Sequence, residues 1–147
     1  MDNEIIIKIE GLRKHFPMGA GKFTALNGID LTFGKGEFAG IIGPSGSGKT
    51  TLLNIIGTLD APSEGSAIIL GQSVGSLSPL ASATLRKSKL GFIFQTYNLF
   101  PVYTVFENVE FPLLLQGVET SRRKQMVLDA LEWVGLTDKI KSKPAQL

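Results

Sequence analysis

The chain has 147 residues, 43% hydrophobic and 19% charged, the composition of a compact globular protein. Its net charge of +2 is too small to argue for a nucleic-acid partner, and the lack of cysteine excludes disulfides and thiolate metal sites. The single histidine, His15, cannot build a metal cluster, and no apolar run approaches the ~20 residues that a membrane-spanning helix needs. The opening "MDNEIIIKIE" is acidic before it is apolar, the reverse of a secretory leader, so a cytosolic chain is expected.

The alternating, isoleucine-rich "IIIKIEGL" predicts a first strand. "FTALNGIDLTF" predicts a second, kinked near Asn27 and Gly28. "GAGK" and "GKGE" are turns. "FAGII", residues 38–42, is a short apolar run of the kind a buried parallel strand shows. "KTTLLNIIGTL" predicts a helix with Leu52, Leu53, Ile55 and Ile56 on one face and Gly57 near its end. "SAIILG" predicts a strand. "SPLASATLRKS" predicts a short helix with Ser78 as N-cap and Pro79 at the first position. "LGFIF", residues 90–94, predicts a further strand.

From Gln95 the texture changes. "QTYNLFPVYT" is an aromatic-rich loop. "TVFENVEFPLLLQ" predicts a helix, capped by Thr104 with Glu107 completing a capping box and with Pro112 as an interruption. In the last helix Val127, Leu128, Leu131 and Val134 share one face, and Trp133 is expected to pack. Residues 1–95 thus predict a mixed α/β core, and residues 96–147 a helical part.

"GPSGSGKT" matches G-x-x-x-x-G-K-[ST] in full: Gly43, Pro44, Ser45, Gly46, Ser47, Gly48, Lys49 and Thr50. Glycines at these places let the backbone wrap around phosphates and turn N–H groups inward. A helix beginning near Lys49 aims its positive end at the same point. Lys49 adds a point charge for the β and γ phosphates, and the Thr50 hydroxyl suits Mg²⁺. The plainer reading is a Gly-rich turn with a chance lysine. The apolar run before the loop and the amphipathic helix after it speak against that.

The loop alone leaves kinases, GTPases and many ATPases open. "LLNIIGTLDAPSEG", "LGFIFQTYNLFP" and "TVFENVEFPL" follow it in order. With the loop they resemble the ATP-binding subunits of ABC transporters, most of all the group with lipoprotein-release, macrolide-export and cell-division ATPases. The resemblance runs from about Ile5 to the last residue.

What it implies is an α/β, P-loop NTPase core of ABC-ATPase type, with a small antiparallel N-terminal sheet and the start of a helical subdomain. It implies ATP and Mg²⁺, and hydrolysis that drives a membrane permease from the inner face of the cell membrane. Residues 43–50 fall on the Walker A loop, and Thr51 adds a phosphate contact. Gln95 falls on the Q-loop glutamine, which reaches the metal and the attacking water. Lys49 and Gln95 are then the catalytic residues, and Thr50 and Gln95 the metal ligands. Phe16 falls on the aromatic that stacks on adenine, with phenylalanine for the commoner tyrosine. Tyr97, Leu99, Phe100, Val102, Tyr103 and Phe106 fall where the family receives the permease. A second ATPase subunit completes the family's ATP sandwich, and no nucleic acid is implied.

The closing "KPAQL" matches the P-x-Q-L that leads into the family's S-G-G-Q signature. The signature, the Walker B aspartate, the catalytic glutamate and the switch histidine would then lie beyond Leu147. On that expectation the 147 residues are the front of an ATPase domain, incomplete, and bind ATP without turning it over. Alternatives are a nucleotide-binding module without catalysis, a soluble ABC-type ATPase unconnected with transport, and a small-molecule kinase. The last typically needs an arginine-bearing lid, whereas Arg122, Arg123 and Lys124 read as a solvated helix face.

Overall fold

A computed structural model describes residues 4–147. The chain forms two compact units; the first ends at Phe92 and the second is Ile93–Leu147.

The first unit is built on one antiparallel sheet in the order β2-β1-β3-β4. β1 (Ile5–Met18) and β2 (Gly21–Gly34) form a long hairpin that closes at Met18 and Gly21, where "GAGK" turns as expected. β3 (Glu64–Ile69) pairs with the other edge of β1, and β4 (Gln72–Ser73) is a short outer strand. The expected kink in β2 is real: the register slips there, and Gly28 takes φ +75°.

β1 buries Ile9 and Leu12, three residues apart, which breaks the period of two that an even strand would show. A bulge at Gly11 explains it, since an extra residue turns Leu12 inward. The Gly11 N–H is satisfied by Asp30 Oδ1 at 2.6 Å. Gly65 of β3 lies against the bulge; a Cβ there would stand 2.3 Å from the Gly11 carbonyl oxygen, so the two strands meet at this depth only through glycine.

α1 (Lys49–Ile56) lays Leu52 and Ile55 on the sheet. They join Ile9, Leu12, Leu26, Ala67, Ile69 and Val74 in one core, with Ile56 and Ile41 packed at its margin. Burial of each large aliphatic chain contributes roughly 1.5–3 kcal/mol. Leu53, expected on this face, is 54% exposed. It lies 100° round the helix from Leu52, whereas residues 52, 55 and 56 share one stripe. α2 (Pro79–Lys89) begins as predicted: Ser78 Oγ accepts from the Ala81 N–H at 3.2 Å and Pro79 opens the helix.

Two expected strands do not form. Neither 38–42 nor 90–94 belongs to the sheet, although both are apolar. An apolar run becomes a strand only where a neighbouring backbone pairs with it, and no sheet strand of the described residues does so here.

In the second unit α3 (Val105–Leu115) and α4 (Thr120–Trp133) bury Val105, Val127 and Leu131 between them, with Phe106, Val109, Leu113, Leu136 and Ile140 around. Arg123 ties the pair by donating to Glu110 at 2.7 Å and to the Val118 carbonyl at 2.8 Å. The last turns of the chain serve α3 as well: the Val105 and Phe106 N–H groups donate to the Ser142 and Ile140 carbonyls at 2.8 and 3.1 Å. Pro112 does not interrupt α3. The helix is held on both sides of it, by the Thr104–Glu107 capping box and by the Gln116 N–H on the Pro112 carbonyl at 3.1 Å. Trp133, expected to pack, is 87% exposed. It stands two residues beyond buried Leu131, hence on the opposite side of the helix. Val134 leaves the buried stripe because the backbone departs from helix there, and it too is exposed. Among the described residues no helix is long and apolar enough to cross a membrane.

Candidate phosphate site

Residues 43–48 form an exposed turn that runs into α1. Gly48 is the N-cap, with φ +89° and no side-chain cap. A Cβ at Gly48 would stand 2.6 Å from the Ala25 carbonyl oxygen and 2.8 Å from Leu26 Cδ2. Glycine is therefore required twice over, by conformation and by space. Gly46 also takes a positive φ, +79°, but in open space.

The first intrahelical bond runs from the Leu52 N–H to the Gly48 carbonyl at 2.9 Å. The N–H groups of Lys49, Thr50 and Thr51 find no acceptor among the described residues. No acidic residue occupies the first turn. This is the unsatisfied, positive end of a helix, free of a competing carboxylate. Lys49 closes the loop over it. Its ammonium donates to the Gly43 carbonyl at 2.8 Å and the Pro44 carbonyl at 2.7 Å, with Ser47 Oγ at 3.4 Å. Ser45 and Thr50 stand exposed, while Lys49 and Thr51 are half-buried. Three bare N–H groups, one ammonium and two threonine hydroxyls thus gather within one turn, donors suited to a polyphosphate.

Phe16 belongs to the same unit. It sits near the tip of the β1–β2 hairpin, opposite Phe23, and is 38% exposed. The register slips between Lys14 and His15, which leaves Ala25 unpaired in β2. That residue's carbonyl is the one lying against Gly48. The bulge therefore brings the Ala25 backbone, two residues from Phe23, against the start of α1. Phe23, directly opposite Phe16 and half exposed, was not singled out from the sequence. Its signal is only the alternation in "KFTALN", read once the pairing is known. His15 is held within the sheet region: its ring meets Thr24 Oγ1 at 3.0 Å and Glu64 Oε1 at 3.2 Å, and its backbone N–H donates to Ser63 Oγ.

Gln95 lies at the start of the second unit, exposed in a bend. Beyond it Phe100, Tyr103 and Phe111 pack ring against ring, with centroids 5.0–6.2 Å apart. Tyr97 and Val102 point to solvent. Phe111, about two helical turns beyond the end of the loop, has no local signal in the sequence. A cavity of about 660 Å³ is lined by Tyr97, Asn98, Leu99, Leu136, Pro144 and Leu147.

Among the described residues no three His, Asp or Glu side chains gather to hold a metal. The oxygen donors beside the loop are neutral, so a hard cation there would need anionic ligands that arrive with a phosphate.

The family description "ABC transporter" matches residues 26–147. An uncharacterized ABC transporter ATP-binding protein of Thermotoga maritima is 42% identical over 142 residues, 97% of this chain and 61% of that protein. The lipoprotein-releasing system ATP-binding protein LolD of Bacteroides thetaiotaomicron is 41% identical over 97% of this chain and 63% of its own length. The macrolide export ATP-binding/permease protein MacB 1 of Aeromonas hydrophila is 43% identical over 98% of this chain, but only 22% of its own length. Among solved structures, the dimeric post-hydrolysis state of the ATP-binding cassette MJ0796, bound to ADP and Pi, aligns with a TM-score of 0.87 at 38% identity. That match covers 96% of this chain and 62% of the cassette. The chain therefore spans under two thirds of the length of these relatives.

Proposed function

This chain belongs to the ABC transporter family of ATP-binding proteins, and on that premise we propose that residues 43–51 hold ATP in an ATPase that drives a membrane permease. The observation that carries the proposal is the start of α1: three N–H groups without acceptors, capped by Gly48 and faced by Lys49.

On this reading the backbone of the loop wraps the β and γ phosphates, and Lys49 exchanges its loop carbonyls for phosphate oxygens. The Thr50 hydroxyl would hold Mg²⁺ and Thr51 would add a phosphate contact; for Gln95 a metal-ligand role is what the family resemblance implies. When bound, Mg²⁺ neutralises charge that builds on the phosphates during transfer. Gln95 also orients the attacking water. Phe16 offers a ring face to adenine. Lys49 and Gln95 are the chain's own contributors to catalysis.

The relatives named LolD and MacB support a permease partner of lipoprotein-release or efflux type, and the dimeric cassette supports a second ATPase subunit. The exposed Tyr97 and Val102, just past Gln95, are the surface offered to the permease. The protein would then work at the inner face of the cell membrane.

Calorimetry with Mg·ATP tests the core of this. Lys49→Ala removes a charge-assisted contact, expected to weaken binding by roughly 10- to 100-fold. Equal affinity in the two proteins would overturn the assignment.

A further inference from the structure

We propose that Lys14 is a positioning residue for the nucleotide base: it fixes the ring of Phe16 to the helix whose first turn holds the phosphates. The proposal rests on the reading of Phe16 as the adenine-stacking residue.

Phe16 lies past the end of the β1–β3 ladder, whose last pair is Arg13 with Glu64. From there to the tip, β1 has a strand partner only in β2. A two-stranded ribbon twists strongly and is weakly held, a poor mount for a flat ring that must meet a base face to face. Lys14 and Phe16 are two residues apart on one strand, so their side chains share a face. The Lys14 ammonium stands 5.2 Å from the centre of the Phe16 ring.

The same ammonium is tied on its other sides. It donates to Asp60 Oδ1 at 2.5 Å and to the Ala61 carbonyl at 2.8 Å. Its side chain is only 12% exposed, so it is held and not roaming in solvent. Asp60 is anchored in turn. Its carboxylate accepts from the Ala61 N–H at 2.7 Å, and the N–H groups of Leu59 and Asp60 donate to the Asn54 carbonyl of α1 at 2.8 and 3.3 Å. One path therefore runs from the Phe16 ring through Lys14 and Asp60 to Asn54, in the helix that opens with Lys49 and Thr50. It fixes how far the base platform stands from the phosphate nest. With Lys14 over the ring, Phe16 still keeps 38% of its surface exposed, room for a base to approach.

The test compares ATP and ADP with inorganic tripolyphosphate, which needs the loop but no base platform. Lys14→Met keeps the apolar stem and removes the charge. Expected is a loss of about 2- to 5-fold for ATP and ADP, the scale of a partly exposed cation–π contact, with tripolyphosphate unchanged. Lys14→Arg should restore the loss, because a guanidinium can both pair with Asp60 and lie on the ring. In a Phe16→Ala background, Lys14→Met should cost nothing further. Equal loss for ATP and tripolyphosphate, no loss for ATP, or a loss that persists without Phe16 would each overturn the proposal. If Phe16→Ala itself leaves the ratio of ATP to tripolyphosphate affinity unchanged, it is the stacking role of Phe16 that fails. Should Lys14→Met not fold, Asp60→Asn keeps the lysine and loosens its anchor. It must then show the same base-selective loss, and its absence would count against Lys14.

Discussion

Gly48 shows how one residue ties the fold to the site. Its φ of +89° lets the chain turn from loop into helix without a side-chain cap, and its missing Cβ makes room for the bulged Ala25 carbonyl. Leu26, the other neighbour at 2.8 Å, is a core residue and cannot yield. Gly48→Ala should therefore cost more than the ~1–2 kcal/mol of a left-handed conformation. Gly46→Ala meets the same conformational cost at φ +79° with nothing within 4 Å. Thermal denaturation of both variants separates the two terms. Gly48→Ala is expected to melt well below Gly46→Ala, and to lose ATP binding as its loop shifts. Equal melting temperatures would show that the contact with Ala25 is unimportant.

The first helix of the second unit begins on side chains that the sequence displays openly. Thr104 and Glu107 satisfy each other's N–H groups at 3.2 and 2.7 Å, the capping box predicted from their spacing. Thr104→Ala should lower stability by about 1 kcal/mol, measured by denaturant unfolding. α4 begins differently, on Glu119, whose carboxylate accepts from the Ser121 hydroxyl, the Ser121 N–H and the Arg122 N–H. The Ser121 hydroxyl first, then the backbone N–H groups, pull this carboxyl from 4.5 down to about 2. A carboxyl depressed on folding adds stability above its unfolded pKa, and loses it as the pH falls through the folded one. Glu119→Gln should therefore melt below the wild type near neutral pH, with the gap closing between pH 4.5 and about 2. A gap independent of pH would assign the effect to something other than the charge. The Thr104–Glu107 box and the Ser78–Pro79 start of α2 were legible because donor and acceptor lie within three residues; the Glu119 cap was not singled out from the sequence. Legible too was the glycine turn of residues 43–48 into α1, which the spacing of the motif placed. What could not be read depends on partners far along the chain. The runs 38–42 and 90–94 have strand composition but no place in the sheet, and Trp133 has core chemistry on the solvent side of its helix. Lys14 meets Asp60 across 46 residues, with no local pattern to announce it.

At the scale of the whole molecule, the apolar runs that found no sheet carry the three most exposed large apolar side chains among the described residues. Phe38 and Ile42 in the first unit, and Ile93 at the start of the second, are essentially fully open, at 102%, 97% and 103%. Single exposed apolar residues are ordinary, but fully exposed large apolar side chains such as Phe38, Ile42 and Ile93, on segments outside the sheet, offer apolar surface to another chain. The 147-residue chain is therefore expected to self-associate, with an apparent mass in sedimentation that rises with concentration. Phe38→Lys together with Ile93→Lys should raise the monomer share, since each replaces a fully exposed apolar side chain with a charge. Because neither side chain is buried, these substitutions should leave the melting temperature nearly unchanged. ATP affinity should hold as well, since both positions lie outside residues 43–51. Wild-type chain that stays monodisperse across the accessible concentration range would show that these segments do not drive association. A double variant that aggregates as readily as the wild type would move the cause to another surface, with exposed Trp133 and Val134 at the end of α4 as the next to substitute.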